Sequence, residues 1–217
     1  MPDAVVFPES VEEVSRVALW ARQAGMKLMP VSSEGPHRGA VVPSEGYVVA
    51  DMSHMKTIVR ADRRNRVALV EAGVTFDELD VALSKVGLRA MTPLARRKGK
   101  SVVAAYLDRT PTLVPRAQWD LSDPLLCIEV VMGSGTVFRT GCSAGPGTLE
   151  EQWATGQAQK NPMGPSAFDF FRLVQGSRGS MGIVTWASMK CDREVVRQAR
   201  CEAGAGGHKR ERARWVL

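Results

Sequence analysis

The chain has 217 residues, 44% apolar and 24% charged, enough for one domain with a real core or two small lobes packed together, and too apolar for disorder along its whole length. The net charge is +6, and half of it lies in residues 191–217, where seven Lys/Arg face four acids. No apolar run approaches the roughly 20 residues that cross a bilayer, and MPDAVVFPES shows neither the basic nor the apolar region of a secretory signal, so direct membrane insertion is not expected and a cytoplasmic location is.

Four cysteines (Cys127, Cys142, Cys191, Cys201) form no CxxC pair and the three histidines are scattered, which argues against a zinc or iron–sulfur site in this chain. Cys127, inside LLCIEVV, reads as a buried core thiol. The basic tail has no interleaved aromatic residue except Trp215 and reads as a solvated charge run, not a nucleic-acid surface.

In chain order, Ser10 and Glu13 fit a capping box at the start of a helix whose apolar face is Val11, Val14, Val17, Ala18 and Ala21, with Gly25 as its stop. A strand over 27–31, the polar loop SSEGPHRG and a second strand near 47–51 follow. After the basic turn ADRRNR, residues 66–71 alternate as a strand. Thr75 and Glu78 form a second capping box, and Leu79, Ala82, Leu83 and Val86 make the apolar face of its helix, which Gly87 ends.

Residues 92–124 are rich in proline and basic side chains and predict long loops around one helical or extended piece near 101–107. Leu125–Met132 and Thr136–Thr140 read as a hairpin about Gly133-Ser134-Gly135. Residues 141–165 read as a surface excursion, 168–174 as a short helix with aromatic residues, and 183–189 as a strand. The apolar pattern then fades, and GAGGHKRERAR reads as a mobile tail.

Glycine-bearing loops occur at 30–39 (PVSSEGPHRG), 93–105 and 176–185 (GSRGSMGIVT). Such loops let backbone amides converge on a pyrophosphate and let a flat ring approach the main chain. Each alone reads more readily as an ordinary turn. Their order and setting are more specific. FPESVEEVSRVALWARQAGMKLMPV, GYVVADMSHMKTIV, RVALVEAGVTFDELDVALSKVGL, IEVVMGSGTVFRTG and GSRGSMGIVT occur in one order over residues 6–190. In these segments the chain resembles the FAD-binding domain of the vanillyl-alcohol oxidase / p-cresol methylhydroxylase type, the FAD-linked oxidase family that includes D-lactate dehydrogenases and glycolate oxidase flavin subunits.

The resemblance implies an α+β fold of two α/β lobes, residues 1–60 and 61–190, with FAD in the groove between them, a basic tail over 191–217 and no substrate domain. It implies that Ser32, Ser33, Glu34, Gly35, His37 and Gly39 lie along the pyrophosphate, and that Gly179, Gly182 and Ile183 contact the cofactor. Binding is expected to be non-covalent, because His37 follows Pro36, out of register with the family's attachment histidine. His54 is expected to cap or pack beside a strand end.

The sequence departs from the family in the first loop, where Ser32, Ser33 and Glu34 replace glycines, in the second, where Ser101-Val102-Val103-Ala104 replaces T-V-G-G, and at Arg178, where the family has Glu. Two readings stay open. One is a flavin module or subunit of an oxidoreductase, acting on a 2-hydroxy acid with a partner chain supplying the substrate site. The other is a non-catalytic structural subunit that kept the fold and lost FAD. A flavin domain without its cap is expected to form a homo-oligomer or a heteromeric complex with an iron–sulfur or second flavin subunit. The family's base commonly lies in the substrate domain, so the resemblance assigns no catalytic residue here.

Overall fold

The protein is described by a computed structural model covering residues 1–33, 44–111, 123–155, 160–163 and 168–194. Part of the first glycine-bearing loop and the GAGGHKRERAR tail lie outside the described residues.

Three short segments near the N-terminus pair in parallel: β1 (Ala4–Val6), β2 (Lys27–Val31) and β3 (Tyr47–Asp51), with β3 in the middle. Parallel strands of one sheet need crossovers, and helix α1 (Val11–Gln23) supplies the one that carries the chain from β1 to β2, on the two sides of β3. Val14, Ala18 and Ala21 are its buried stripe. Gly25 ends the turn in the left-handed region, at φ +65°.

The start of α1 departs from the expected capping box. The Ser10 hydroxyl accepts the Glu13 amide, but the Glu13 carboxylate accepts the amide of Glu9, not of Ser10. The box is therefore closed one residue early, which secures the chain entering the helix.

The second sheet has six strands and is antiparallel throughout: β4 (Ile58–Asp62), β5 (Val67–Glu71), β6 (Leu88–Ala90), β7 (Leu125–Val131), β8 (Val137–Arg139) and β9 (Ile183–Arg193). The order is β4-β5-β9-β7-β8, with β6 on the far end of β9. β9 runs past Lys190 because Cys191, Asp192 and Arg193 pair with Ala90, Arg89 and Leu88.

Val67 to Val70 are all buried, so β5 does not alternate between core and solvent. Both faces of the sheet are covered. Ala68 and Val70 join Ile128, Val130, Ala187 and Met189 beneath α2 (Phe76–Ser84) and α3 (Val102–Leu107). On the other face Val67 and Leu69 meet Leu126, Cys127 and Trp186, with Leu149 and Trp153 packed against them. The latter two come from α4 (Leu149–Ala154), inside the segment expected to be a surface excursion. Thr148 and Glu151 form a full capping box there, and a 3₁₀ helix over Gly141–Ala144 precedes it. The box at Thr75 and Glu78 is complete, as expected.

The two sheets share a core. Val14 and Ala18 of α1, with Ala50, Met52 and Met55, pack against Ala72, Val131 and Ile183 of the second sheet. Gly73 makes this approach possible: a Cβ there would lie 2.4 Å from the Met52 carbonyl oxygen and 2.8 Å from that of Met55. Among the described residues, no helix is long and apolar enough to cross a membrane.

Candidate functional site

The end of β2, the start of α3 and the loop before β9 enclose a cleft of about 650 Å³ between the sheets. That volume is in the range of small-molecule and cofactor sites. Met29, Met52, Ala72, Phe76, Ile183 and Val184 form its apolar part.

The loop before β9 is shaped by residues in left-handed backbone conformations. Gly176, Arg178, Gly179 and Gly182 have φ of 74°, 50°, 87° and 139°. Two of these glycines also permit close approach. A Cβ on Gly179 would fall 2.5 Å from Pro30 Cγ, and one on Gly182 would fall 2.7 Å from the Val131 carbonyl oxygen. The first and third loops are thus in direct contact, and their backbones face the cleft. Arg178 holds its conformation without glycine's freedom, which is unusual for a bulky side chain.

Ser101 joins the second loop to the first and to the segment that follows β5. It is fully buried and caps α3: its hydroxyl accepts the Ala104 amide at 3.1 Å and donates to the Ala72 carbonyl at 2.6 Å. Its own amide donates to the Ser33 hydroxyl at 2.9 Å. In the second loop, Val103 and Ala104 line the cleft where the resembled family carries glycine.

The rim is basic. Arg96 is held by Asp77 and by Asp80, 2.5 Å away, and lies over the Phe76 ring. Burial works against its charge, but the two carboxylates outweigh burial and raise the Arg96 pKa. Lys100 pairs with Asp108 at 2.7 Å. Arg97 and Arg178 also line the cleft, and Arg178 is exposed. The Ser177 hydroxyl, also in the lining, is a buried oxygen with no hydrogen-bond partner among the described residues.

Of the residues expected at the cofactor, Ser32, Ser33, Gly179, Gly182 and Ile183 line this cleft. Glu34, Gly35, His37 and Gly39 lie outside the described residues. His54 lies elsewhere, stacked on Phe7 with Nδ1 3.3 Å from a Glu9 carboxylate oxygen. Asp51, not His54, caps that turn, by accepting the Ser53 amide. Sequence reasoning did not find Met52, Ala72, Phe76 or the role of Ser101. The signal present was a serine three residues before Ala104, the spacing of a helix cap. Among the described residues, no cluster of three or more His, Cys, Asp or Glu could hold a metal ion.

The residues present fit a bound flavin nucleotide in kind: a cleft of suitable size, an apolar lining, glycines where a ring must near the backbone, an orphaned hydroxyl and a basic rim.

Relatives agree with that fit. The chain is 28% identical over 190 residues to the glycolate oxidase subunit GlcD of Bacillus subtilis, covering 88% of this chain and 37% of that protein. It is 26% identical over 190 residues to the mitochondrial D-lactate dehydrogenase [cytochrome] of Arabidopsis thaliana, covering 88% and 30%. The chain thus spans about a third of the length of these relatives. Among solved structures, p-cresol methylhydroxylase with substrate bound superposes with a TM-score of 0.67 at 23% identity, over 88% of this chain and 35% of that one. 4-Ethylphenol oxidase from Gulosibacter chungangensis does so with a TM-score of 0.67 at 23% identity, over 87% and 34%. These likenesses show the fold, an α+β domain of the p-cresol methylhydroxylase type. The FAD binding domain family matches residues 2–141, well over half of the chain, and this chain belongs to that family.

Proposed function

We propose that this chain is the cofactor-holding part of a flavin-linked oxidoreductase that acts on a 2-hydroxy acid. The observation that carries the reading is the meeting of Pro30–Ser33 with Gly179, Gly182 and Ile183 around one cleft, with Ser33 held to the start of α3 by the Ser101 amide. Similar proteins are named for glycolate, D-lactate and D-2-hydroxyglutarate, all 2-hydroxy acids, which supports the substrate class.

Bound FAD supplies a two-electron acceptor for the hydrogen on the carbon that bears the substrate hydroxyl. The chain's own residues hold it. In this reading the amides of Ser32, Ser33, Glu34, Gly35 and His37 form a nest for the pyrophosphate, with Gly39 closing the loop. Gly179, Gly182 and Ile183 offer backbone and small surfaces to the cofactor. Ser177 gains the hydrogen-bond partner that it lacks, and Arg178 adds positive charge at the rim.

Partners follow from the same reading. The protein forms a homo-oligomer or a heteromeric complex with an iron–sulfur or second flavin subunit. A protein similar to it is itself named as a subunit, which supports this.

The side chains of Val103 and Ala104 in the cleft favour a second reading, a structural subunit that kept the fold and lost FAD. The visible absorption spectrum of the purified protein separates the two. Flavin bands, or quenching of flavin fluorescence when FAD is titrated into the protein, are expected. A folded sample that shows no flavin bands and no quenching would overturn the first reading in favour of the second.

A further inference from the structure

On the face of the second sheet that carries Trp153 and Trp186, two thiols meet. Cys127, on β7, is fully buried, and its Sγ lies 3.7 Å from Sγ of Cys142, which is half-buried in the 3₁₀ helix after β8.

The local backbone makes this pairing. Glu129 pairs with Arg139 in the β7–β8 hairpin, and the Thr140 amide donates to the Ile128 carbonyl, so the next residue, Gly141, arrives beside Cys127. Gly141 then turns at φ +61°, where an added Cβ would lie 2.8 Å from the Cys127 sulfur. The turn carries Cys142 back over that sulfur, and the Cys142 amide is fixed by donation to the Asn161 carbonyl at 2.9 Å. The same carbonyl oxygen is 3.5 Å from the Cys127 sulfur, so the backbone of one cysteine and the side chain of the other are anchored at one point.

We propose that Cys127 and Cys142 form a reversible disulfide, with Cys142 the thiol that reacts first with a hydroperoxide and Cys127 the thiol that resolves it. The sulfurs need to close from 3.7 Å to the roughly 2.0 Å of a disulfide, a movement that a short turn can supply.

The two sulfurs are not equivalent. Contact with Cys127 lowers the Cys142 pKa; burial opposes this, and the backbone amides near Asn161 and Lys160 reinforce it. Contact with Cys142 and burial both raise that of Cys127. The half-exposed sulfur is therefore the nucleophilic one.

The steps balance. The Cys142 thiolate attacks one peroxide oxygen, the O–O bond breaks, and the sulfur becomes a sulfenic acid while hydroxide leaves and takes a proton. The Cys127 sulfur then attacks the Cys142 sulfur, the S–O bond breaks, and water leaves with the Cys127 proton. Two thiols lose two electrons in all, and one hydroperoxide is reduced.

The test uses the whole chain, first reduced and freed of reductant, then treated with a small excess of hydrogen peroxide. Intact mass and peptide mapping after alkylation are expected to show the loss of two hydrogens, a peptide joining Cys127 to Cys142, and recovery with dithiothreitol. Cys127→Ala is expected to stop at a sulfenic acid on Cys142, trapped by dimedone, and Cys142→Ala to leave Cys127 open to alkylation after unfolding. An unchanged mass in the parent protein, a link to Cys191 or Cys201 instead, or oxygen added to Cys142 while Cys127 stays alkylatable would each overturn the proposal. The parent measurement decides even if a variant fails to fold.

Discussion

The Ser101 amide donates to the Ser33 hydroxyl across 2.9 Å, although 68 residues separate them in sequence. Since the Ser101 hydroxyl also binds the Ala72 carbonyl and caps α3, one buried residue ties the first loop, the start of α3 and the segment after β5 together.

Ser101→Ala therefore removes a helix cap and leaves the Ala72 carbonyl without its hydroxyl donor. A cap is worth about 1 kcal/mol and an unmet buried polar group about 1–3 kcal/mol. The expected loss is roughly 2–4 kcal/mol, or on the order of 4–16 °C in Tm for a chain of this size. Ser33→Ala leaves the cap intact and is expected to cost about 1 kcal/mol or less. Thermal and urea unfolding check both, and equal losses would mean that the cap contributes little.

Gly179 is the position where cofactor affinity and fold can be separated. Its φ of +87° and the 2.5 Å approach of Pro30 Cγ leave no room for a side chain. Gly179→Leu is expected to abolish FAD binding by pushing the first and third loops apart. Gly73→Ala, which drives a methyl group into the backbone of Met52 and Met55, is expected to destabilise the whole fold by about 1–3 kcal/mol. FAD titration beside a melting curve distinguishes the two kinds of damage.

Glu34→Gly is expected to hold or tighten FAD affinity. A carboxylate about 4 Å from a phosphate oxygen costs about 4 kcal/mol at an effective dielectric of about 20. Weaker binding by the glycine variant, read by flavin fluorescence, would show that Glu34 contributes to affinity.

Glu129 makes stability depend on pH. Burial raises its carboxyl pKa, while the Thr185 hydroxyl at 2.8 Å and Arg139 at 3.9 Å partly offset burial. The folded protein thus holds this proton more tightly than the unfolded chain, so the group's contribution is fully present below the usual glutamate range and declines as pH rises through the folded pKa. Glu129→Gln cannot ionise. Relative to the parent, the variant is expected to gain stability as pH rises from the usual glutamate range towards neutrality. Denaturant midpoints across that range test it, and a constant difference would exclude Glu129 as the cause.

Local signals predicted the elements well and their surroundings less well. Both full capping boxes lie in plain S/T-x-x-E spacing, yet the one at Thr148 sits in a glycine- and proline-rich stretch that hides it. β5 reads as an alternating strand because periodicity records residue types, not whether a second layer arrives; Leu149 and Trp153 bring that layer from far downstream in the chain. The same holds at the site. Gly179 and Gly182 are visible in a motif, but the Ala72 carbonyl that Ser101 needs is a backbone atom, and no residue type marks it. The nearness of Cys127 to Cys142 depends on the turn at Gly141, which spacing alone does not reveal.

β9 is the final strand of the described chain, yet it occupies the interior of the six-stranded sheet, between β5 and β7. A chain emerging from the ribosome must therefore keep two buried, hydrogen-bonding strand edges apart until the residues from Ile183 onward appear. Closure of this sheet is non-local and late, which places it among the slower steps of folding. Any stop or cleavage before Ile183 would leave β5 and β7 as open apolar edges, ready to pair with another molecule instead.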